Sequence, residues 1–103
     1  MKLNELFNNV PAIEISGLAI DSRKVQKGDM YFCLEGLVND GHSFVAQAVS
    51  NGALCIIHSK ELADMPQGAV YIRVQDVNAV LNEEVNTFTY YDPNTGTKYD
   101  YAF

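Results

Sequence analysis

Leu3, Leu6, Phe7 and Val10 recur at i, i+3, i+4 and i+7, the spacing that lines one stripe of an α-helix, and Pro11 stops the pattern. From Ile13 the period falls to two. Ile13 and Ile15 alternate with Glu14 and Ser16, Gly17 leaves room for a bulge, and Leu18 and Ile20 resume the run, so a strand is expected that ends at Asp21. A polar stretch with the turn glycine Gly28 leads into Met30–Leu34, a continuous apolar run of strand length. After a loop that holds Gly36 and Gly41, a second helix is expected with Phe44, Val45, Ala48 and Val49 on its apolar stripe and Asn51-Gly52 at its end.

Buried strands are expected at Ala53–Ile57 and Ala69–Val74, with one helical turn within Ser59–Asp64 between them. Asp76 suits the N-cap of a helix that presents Val77, Val80 and Leu81. The last stretch is plain alternation: Thr87-Phe88-Thr89-Tyr90 and Thr97-Lys98-Tyr99-Asp100-Tyr101 flank Asp92-Pro93-Asn94-Thr95-Gly96, the signature of a β-hairpin. Strands alternating with short helices predict an α/β fold: a small mixed, mostly parallel sheet flanked by helices and finished by a C-terminal β-hairpin. An aromatic ribbon of this kind either covers the core of its own chain or pairs with another copy, so self-association through residues 86–103 is the competing expectation.

Composition narrows the class. The chain has 103 residues, 7 Lys+Arg against 13 Asp+Glu and a formal net charge of -6, a balance that disfavours nucleic acid and anionic membranes as partners. The apolar runs are far below the roughly 20 residues of a membrane span, and no basic-then-apolar leader pattern opens the chain, so a cytoplasmic setting is expected. Cys33 and Cys55 sit inside apolar runs and read as reduced core thiols. With only His42 and His58 as nitrogen donors, no metal site is expected.

Candidate chemistry is sparse. The chain has no G-x-x-x-x-G-K-[ST] phosphate loop, no G-x-G-x-x-G, no H-E-x-x-H and no G-x-S-x-G elbow. Asp40-Gly41-His42-Ser43 contains the residue types of a catalytic triad, but neighbours at a helix start do not adopt triad geometry. Asp40 reads as helix N-terminal charge and His42 as a first-turn or capping residue, so no catalytic residue is assigned. The informative pair is the turn Asp21-Ser22-Arg23 after the first strand and the loop Gly36–His42 after the second. If those strands pair, the two turns become neighbours and can wall a small-molecule crevice, with Arg23, Lys24 and Lys27 as local positive charge. The same residues can equally fold a turn through local hydrogen bonds alone.

The order Ile20-Asp21-Ser22-Arg23-Lys24-Val25, Lys27-Gly28-Asp29-Met30-Tyr31-Phe32, Gly36, Asp40-Gly41-His42-Ser43-Phe44, Ala48 and Gly52-Ala53 resembles the N-terminal domain of the Mur ligases. These are bacterial enzymes that add amino acids to the UDP-N-acetylmuramoyl peptide precursor of peptidoglycan. The opening helix and Ser16-Gly17-Leu18 look most like the branch that adds the third residue (the MurE type), with the D-alanyl-D-alanine-adding branch as the nearest rival. The resemblance implies a domain that holds the uridine end of the precursor. Ile20 and Ser22 would contact the uridine diphosphate, Leu37, Val38 and Asn39 would line the uracil, and Asp40, Gly41 and His42 would shape the loop.

ATP and magnesium, which activate a carboxylate as an acyl phosphate in the family, are implied to belong to other domains of the full-length enzyme. The chain is therefore expected to need no cofactor of its own and to be inactive alone. The resemblance covers residues 1–84. Residues 85–103 depart from the family, as expected either of a domain closed by a foreign or redesigned tail or of a stand-alone relative.

Overall fold

The computed structural model describes residues 1–7, 10–36, 39–81 and 87–102. Six strands form one sheet in the order β1 (Gly17–Ala19), β2 (Asp29–Phe32), β3 (Cys55–His58), β4 (Val70–Val74), β5 (Thr87–Asp92), β6 (Thr97–Ala102). The first three pairings are parallel and the last two antiparallel, the α/β mixed sheet that the alternation of elements predicts. The hairpin joins β4 through Ile72 opposite Tyr90, so it extends the sheet of its own chain. Its turn is closed by the Gly96 N–H donating to Asp92 O at 2.8 Å, with Gly96 at a φ of 74° that favours glycine.

Period-two alternation sends side chains to both faces. Met30, Phe32, Cys55, Ile57, Ile72, Phe88 and Tyr90 face one cluster, which α1 (Leu3–Leu6) and α3 (Val77–Leu81) help to cover through Leu3, Val77 and Val80. Tyr31, Cys33, Ile56 and Tyr71 face the other, beneath Val45 and Ala48 of α2 (Val45–Ser50). The hairpin contributes directly to the first cluster: Phe88 meets Phe7 edge-on at a centroid distance of 5.0 Å.

Five expectations are corrected. The first helix spans a single turn, because Phe7 is already extended (φ -129°, ψ 126°), and Leu6 consequently leaves the buried stripe. Asn8 and Asn9 lie outside the described residues. The first strand is shorter than its hydrophobic pattern: Glu14 makes an isolated bridge to Lys2 and regular pairing begins only at Gly17. Leu18 and Ile20 are exposed, since β1 is an outer edge of the sheet. Phe44 and Leu81 likewise lie at the exposed margins of their helices.

The helical turn expected within Ser59–Asp64 does not form. Its backbone groups have other partners: the N–H groups of Ser59 and Lys60 donate to His42 Nε2 at 3.0 and 3.3 Å, and Lys60 O accepts from His58 Nδ1 at 2.8 Å.

Candidate functional site

Because β1 and β2 run parallel, their C-terminal ends lie on one edge of the sheet, and the segments that leave them are brought side by side. Between them opens a cleft of about 540 Å3. Ile20, Ser22 and Arg23 wall it from the β1 side, and Leu34, Gly36, Asn39 and Gly41 from the β2 side. Tyr31, Phe44 and Gln47 line it as well, together with two carboxylates, Asp21, which Arg23 pairs, and Glu35.

Local chemistry sets each wall. Asp21 caps the 3-10 turn Ser22–Lys24, its Oδ1 accepting the Arg23 N–H at 3.0 Å. The Arg23 guanidinium grips the same carboxylate through Nε (3.1 Å) and Nη2 (2.9 Å), which lowers the Asp21 pKa from 3.8 to about 2. Much of the positive charge expected at this turn is therefore already paired, and neither Lys24 nor Lys27 lines the cleft. Ser22 is 5% exposed, and its hydroxyl donates to Gln47 Oε1 at 2.5 Å while its carbonyl accepts from Asn51 Nδ2 at 2.9 Å. These two bonds fasten the turn to α2.

On the other side, the Gly36 N–H donates to Asn39 O and the Gly41 N–H donates to Leu34 O, both at 2.8 Å, which folds the loop back on the end of β2. A Cβ at Gly41 would stand 2.8 Å from Leu34 N, so only glycine fits. The Tyr31 hydroxyl donates to Gly41 O at 2.9 Å, and burial pushes its pKa up to about 12, which keeps it a hydrogen-bond donor at neutral pH.

Asp40 caps the next turn, Gly41–Phe44, accepting the His42 N–H at 3.0 Å. Its side chain points away from the cleft, into a brace. Oδ1 accepts from His42 Nδ1 at 2.7 Å, and Lys60 Nζ donates to Oδ2 at 2.6 Å. The Lys60 ammonium, ahead of the two bonds from His42, holds the Asp40 carboxyl well below the usual carboxylate range. Since His42 Nε2 accepts two backbone N–H groups, the ring proton sits on Nδ1 and the imidazole is wholly engaged as a strut. The local-turn reading and the crevice reading thus describe the same residues: the turns are knit by local bonds, and the gap between them is a cleft.

The sequence pattern described as Mur ligase family, catalytic domain matches residues 14–89. The chain belongs to the Mur ligase family. It is similar to the UDP-N-acetylmuramoyl-L-alanyl-D-glutamate--2,6-diaminopimelate ligase of Listeria monocytogenes serotype 4b, at 43% identity over 81 residues, covering 71% of this chain and 16% of that protein. The enzyme of the same name from Alkaliphilus metalliredigens is 33% identical over 96 residues, covering 85% of this chain and 19% of that one. Among solved structures, a crystal structure of MurF from Acinetobacter baumannii superposes with a TM-score of 0.62 at 31% identity, over 72% of this chain and 16% of that chain. The chain spans less than a fifth of the length of these relatives.

Within this Mur ligase domain, the structure brings Ile20, Ser22, Asn39 and Gly41 to one cleft, whereas Asp40 and His42 stand behind it. Leu37 and Val38 lie outside the described residues. Sequence reasoning missed Tyr31, Gln47 and Phe44. A signal existed for the first two: a tyrosine inside a fully apolar strand needs a partner for its hydroxyl, and Gln47 is a polar residue flanked by the apolar positions of a short helix.

Proposed function

We propose that this domain holds the uridine diphosphate end of UDP-N-acetylmuramoyl-L-alanyl-D-glutamate, as the substrate-recognition part of a MurE-type ligase that adds the third amino acid, and that it is catalytically silent by itself. The supporting observation is the cleft shared by the two turns at the C-terminal edge of β1 and β2. Its exposed apolar walls, Ile20 and Phe44, suit a flat ring, and its polar lining, Ser22, Arg23, Asn39 and Gln47 beside the carboxylates of Asp21 and Glu35, offers donors and acceptors to the edge of a base and the hydroxyls of a ribose. In this reading Ile20 and Ser22 contact the uridine diphosphate and Leu37, Val38 and Asn39 line the uracil, while Asp40, Gly41 and His42 hold the loop in place.

Residues 1–84 form the recognition unit and residues 85–103 the hairpin that finishes its sheet. The relatives' printed names supply the precursor as the substrate class. ATP and magnesium do not fit the residues present: the sequence has no phosphate loop, and among the described residues no three His, Cys, Asp or Glu side chains lie together as a metal would require. That chemistry belongs in this reading to the family's other domains, which are this domain's partners in closing around the precursor. No helix among the described residues is long and apolar enough to cross a membrane, and the reading places the domain in the cytoplasm.

A 15N NMR titration with UDP-N-acetylmuramoyl-L-alanyl-D-glutamate tests the proposal. Saturable shifts at the amides of Ser22 and Asn39 are expected. No shift at either amide at millimolar ligand overturns it.

A further inference from the structure

A second cavity, of about 290 Å3, lies on the sheet face where Tyr71 and Tyr91 stand side by side, over β3 to β6 rather than at the end of β1 and β2. Register fixes its floor. His58, Arg73 and Thr89 sit in one cross-strand row, and Tyr71, Tyr91 and Lys98 in the next. The segment between β3 and β4 forms the opposite wall, with Leu62 and Met65 packed against the Tyr71 cluster.

Three features make this a built site rather than a dent. First, His58 is 4% exposed, and its Nδ1 donates to Lys60 O at 2.8 Å. A carbonyl only accepts, so the ring proton sits on Nδ1 and Nε2 keeps a lone pair with no protein partner among the described residues. Burial lowers the pKa of this imidazole to about 4, which keeps that lone pair available at neutral pH.

Second, Arg73 uses Nε on Ser59 O at 3.3 Å, and neither Arg73 nor Lys98 has an ion-pair partner among the described residues. Two cations against the single carboxylate of Glu61 give the lining a positive balance in a chain of net charge -6, and Asp100, opposite Thr89 on β6, accepts its hydroxyl at 2.7 Å. Third, the rings of Tyr71 on β4 and Tyr91 on β5, 6.4 Å apart, give the floor an apolar surface between His58 on β3 and Lys98 on β6.

We propose that this cavity binds a single-ring aromatic acid that carries an O–H or N–H at the end remote from its carboxylate. The ring lies against Tyr71 and Tyr91, the carboxylate meets Lys98, and the remote donor bonds to His58 Nε2, while Arg73, the cross-strand neighbour of His58, adds positive charge to the lining. Size supports the assignment. From His58 on β3 to Lys98 on β6 is three strand intervals, roughly 14 Å between backbones, and side chains reaching inward from both ends leave the length of one substituted ring. The volume is at the small end of ligand pockets, which run to about 1,000 Å3, so a nucleoside diphosphate is a poor fit here.

The test is a 15N NMR titration of the whole chain with 4-hydroxyphenylacetate, run beside phenylacetate, 2-(4-hydroxyphenyl)ethanol and inorganic phosphate. Saturable shifts are expected at the amides of His58, Tyr71 and Tyr91, without matching shifts at Ser22 and Asn39. Affinity falls about tenfold for the neutral alcohol and for the surface variant Lys98→Gln, less for Arg73→Gln, and measurably for phenylacetate, which lacks the remote hydroxyl. Absence of saturation at those amides overturns the proposal. So do equal affinity for the neutral alcohol, indifference to both variants, and the same shifts produced by phosphate alone. Because this cavity and the nucleotide cleft report through different amides, failure of one proposal is distinguishable from failure of the other.

Discussion

His42 Nε2 accepts the backbone N–H of Ser59 at 3.0 Å, which makes the turn after β2 and the turn after β3 one hydrogen-bonded unit. The His42 side chain is 7% exposed and its bond to Ser59 is part-buried, whereas the Lys60 N–H lies at the surface. His42→Ala strands the Ser59 N–H and removes a donor from Asp40. A loss of about 2 kcal/mol is expected in urea unfolding. Lys60→Met removes only the exposed member of the brace and is expected to cost well under 1 kcal/mol.

Glycine is required at Gly41 and Gly96 for different reasons, and the two variants separate them. At Gly41 an added methyl meets the backbone of Leu34 at 2.8 and 3.0 Å, so Gly41→Ala is expected to shift the loop and cost roughly 2 kcal/mol. At Gly96 nothing lies within 4 Å and only the positive φ opposes a side chain, so Gly96→Ala is expected to cost about 1 kcal/mol. Urea midpoints rank the two. The Gly41 variant alone should also weaken nucleotide binding.

The hairpin is a core element. Phe88 is buried and packed on Phe7, and Phe88→Ala is expected to cost about 3 kcal/mol. Tyr99, 51% exposed on the outer strand but stacked on Tyr90 at 6.2 Å, is expected to cost less, about 1 kcal/mol, when truncated. Light scattering on the whole chain and on a chain lacking residues 86–103 tests the role of the ribbon. The whole chain is expected to be monomeric and the shortened one to aggregate through its uncovered core.

Stability should fall in two steps with acid. Burial holds His58 at about 4, below its ordinary 6.5, with His42 and Arg73 acting in the same direction. Between those values the unfolded chain binds a proton that the folded chain refuses, so stability is full above 6.5 and declines as pH falls towards 4. At pH 5 the loss is roughly 2 kcal/mol. A second decline follows below the ordinary carboxylate value of 3.8, as the depressed carboxylates of Asp21 and Asp40 are forced to protonate. In urea midpoints taken across this range, His58→Asn should flatten the first step and leave the second.

Cys33 and Cys55 lie in clusters on opposite faces of the sheet. Burial pushes the Cys33 thiol up to about 12 and raises Cys55 as well, so neither offers thiolate at neutral pH. No reaction with a thiol reagent is expected in the native state, and both are expected to react in denaturant.

The parts of the fold legible in the sequence were those where one local rule decided the outcome. Fully apolar runs became the central strands, and Asp92-Pro93-Asn94-Thr95-Gly96 became the turn of the hairpin. The failures came where tertiary partners outbid local pattern. Leu18 and Ile20 follow a strand alternation, yet alternation says nothing of whether the strand lies at an edge. Residues 59–64 have the composition of a turn of helix, but the imidazole of His42, from the turn after β2, and that of the adjoining His58 hold their backbone. The same limit governs the cleft. Two polar turns were visible and their adjacency followed from parallel pairing, whereas Tyr31 and Gln47 reach it only because β2 and α2 present them there, and His42 leaves it because Ser59 is within reach.

The central claim is that the gap between those turns receives the uracil, and intermolecular nuclear Overhauser effects from uracil H5 and H6 in the complex with UDP-N-acetylmuramoyl-L-alanyl-D-glutamate test it most directly. Contacts to the side chains of Leu37, Val38 and Asn39 and to the apolar walls Ile20 and Phe44 are predicted. Contacts to Tyr71 and Tyr91 instead, or a bound nucleotide with none to Ile20 and Phe44, would contradict it.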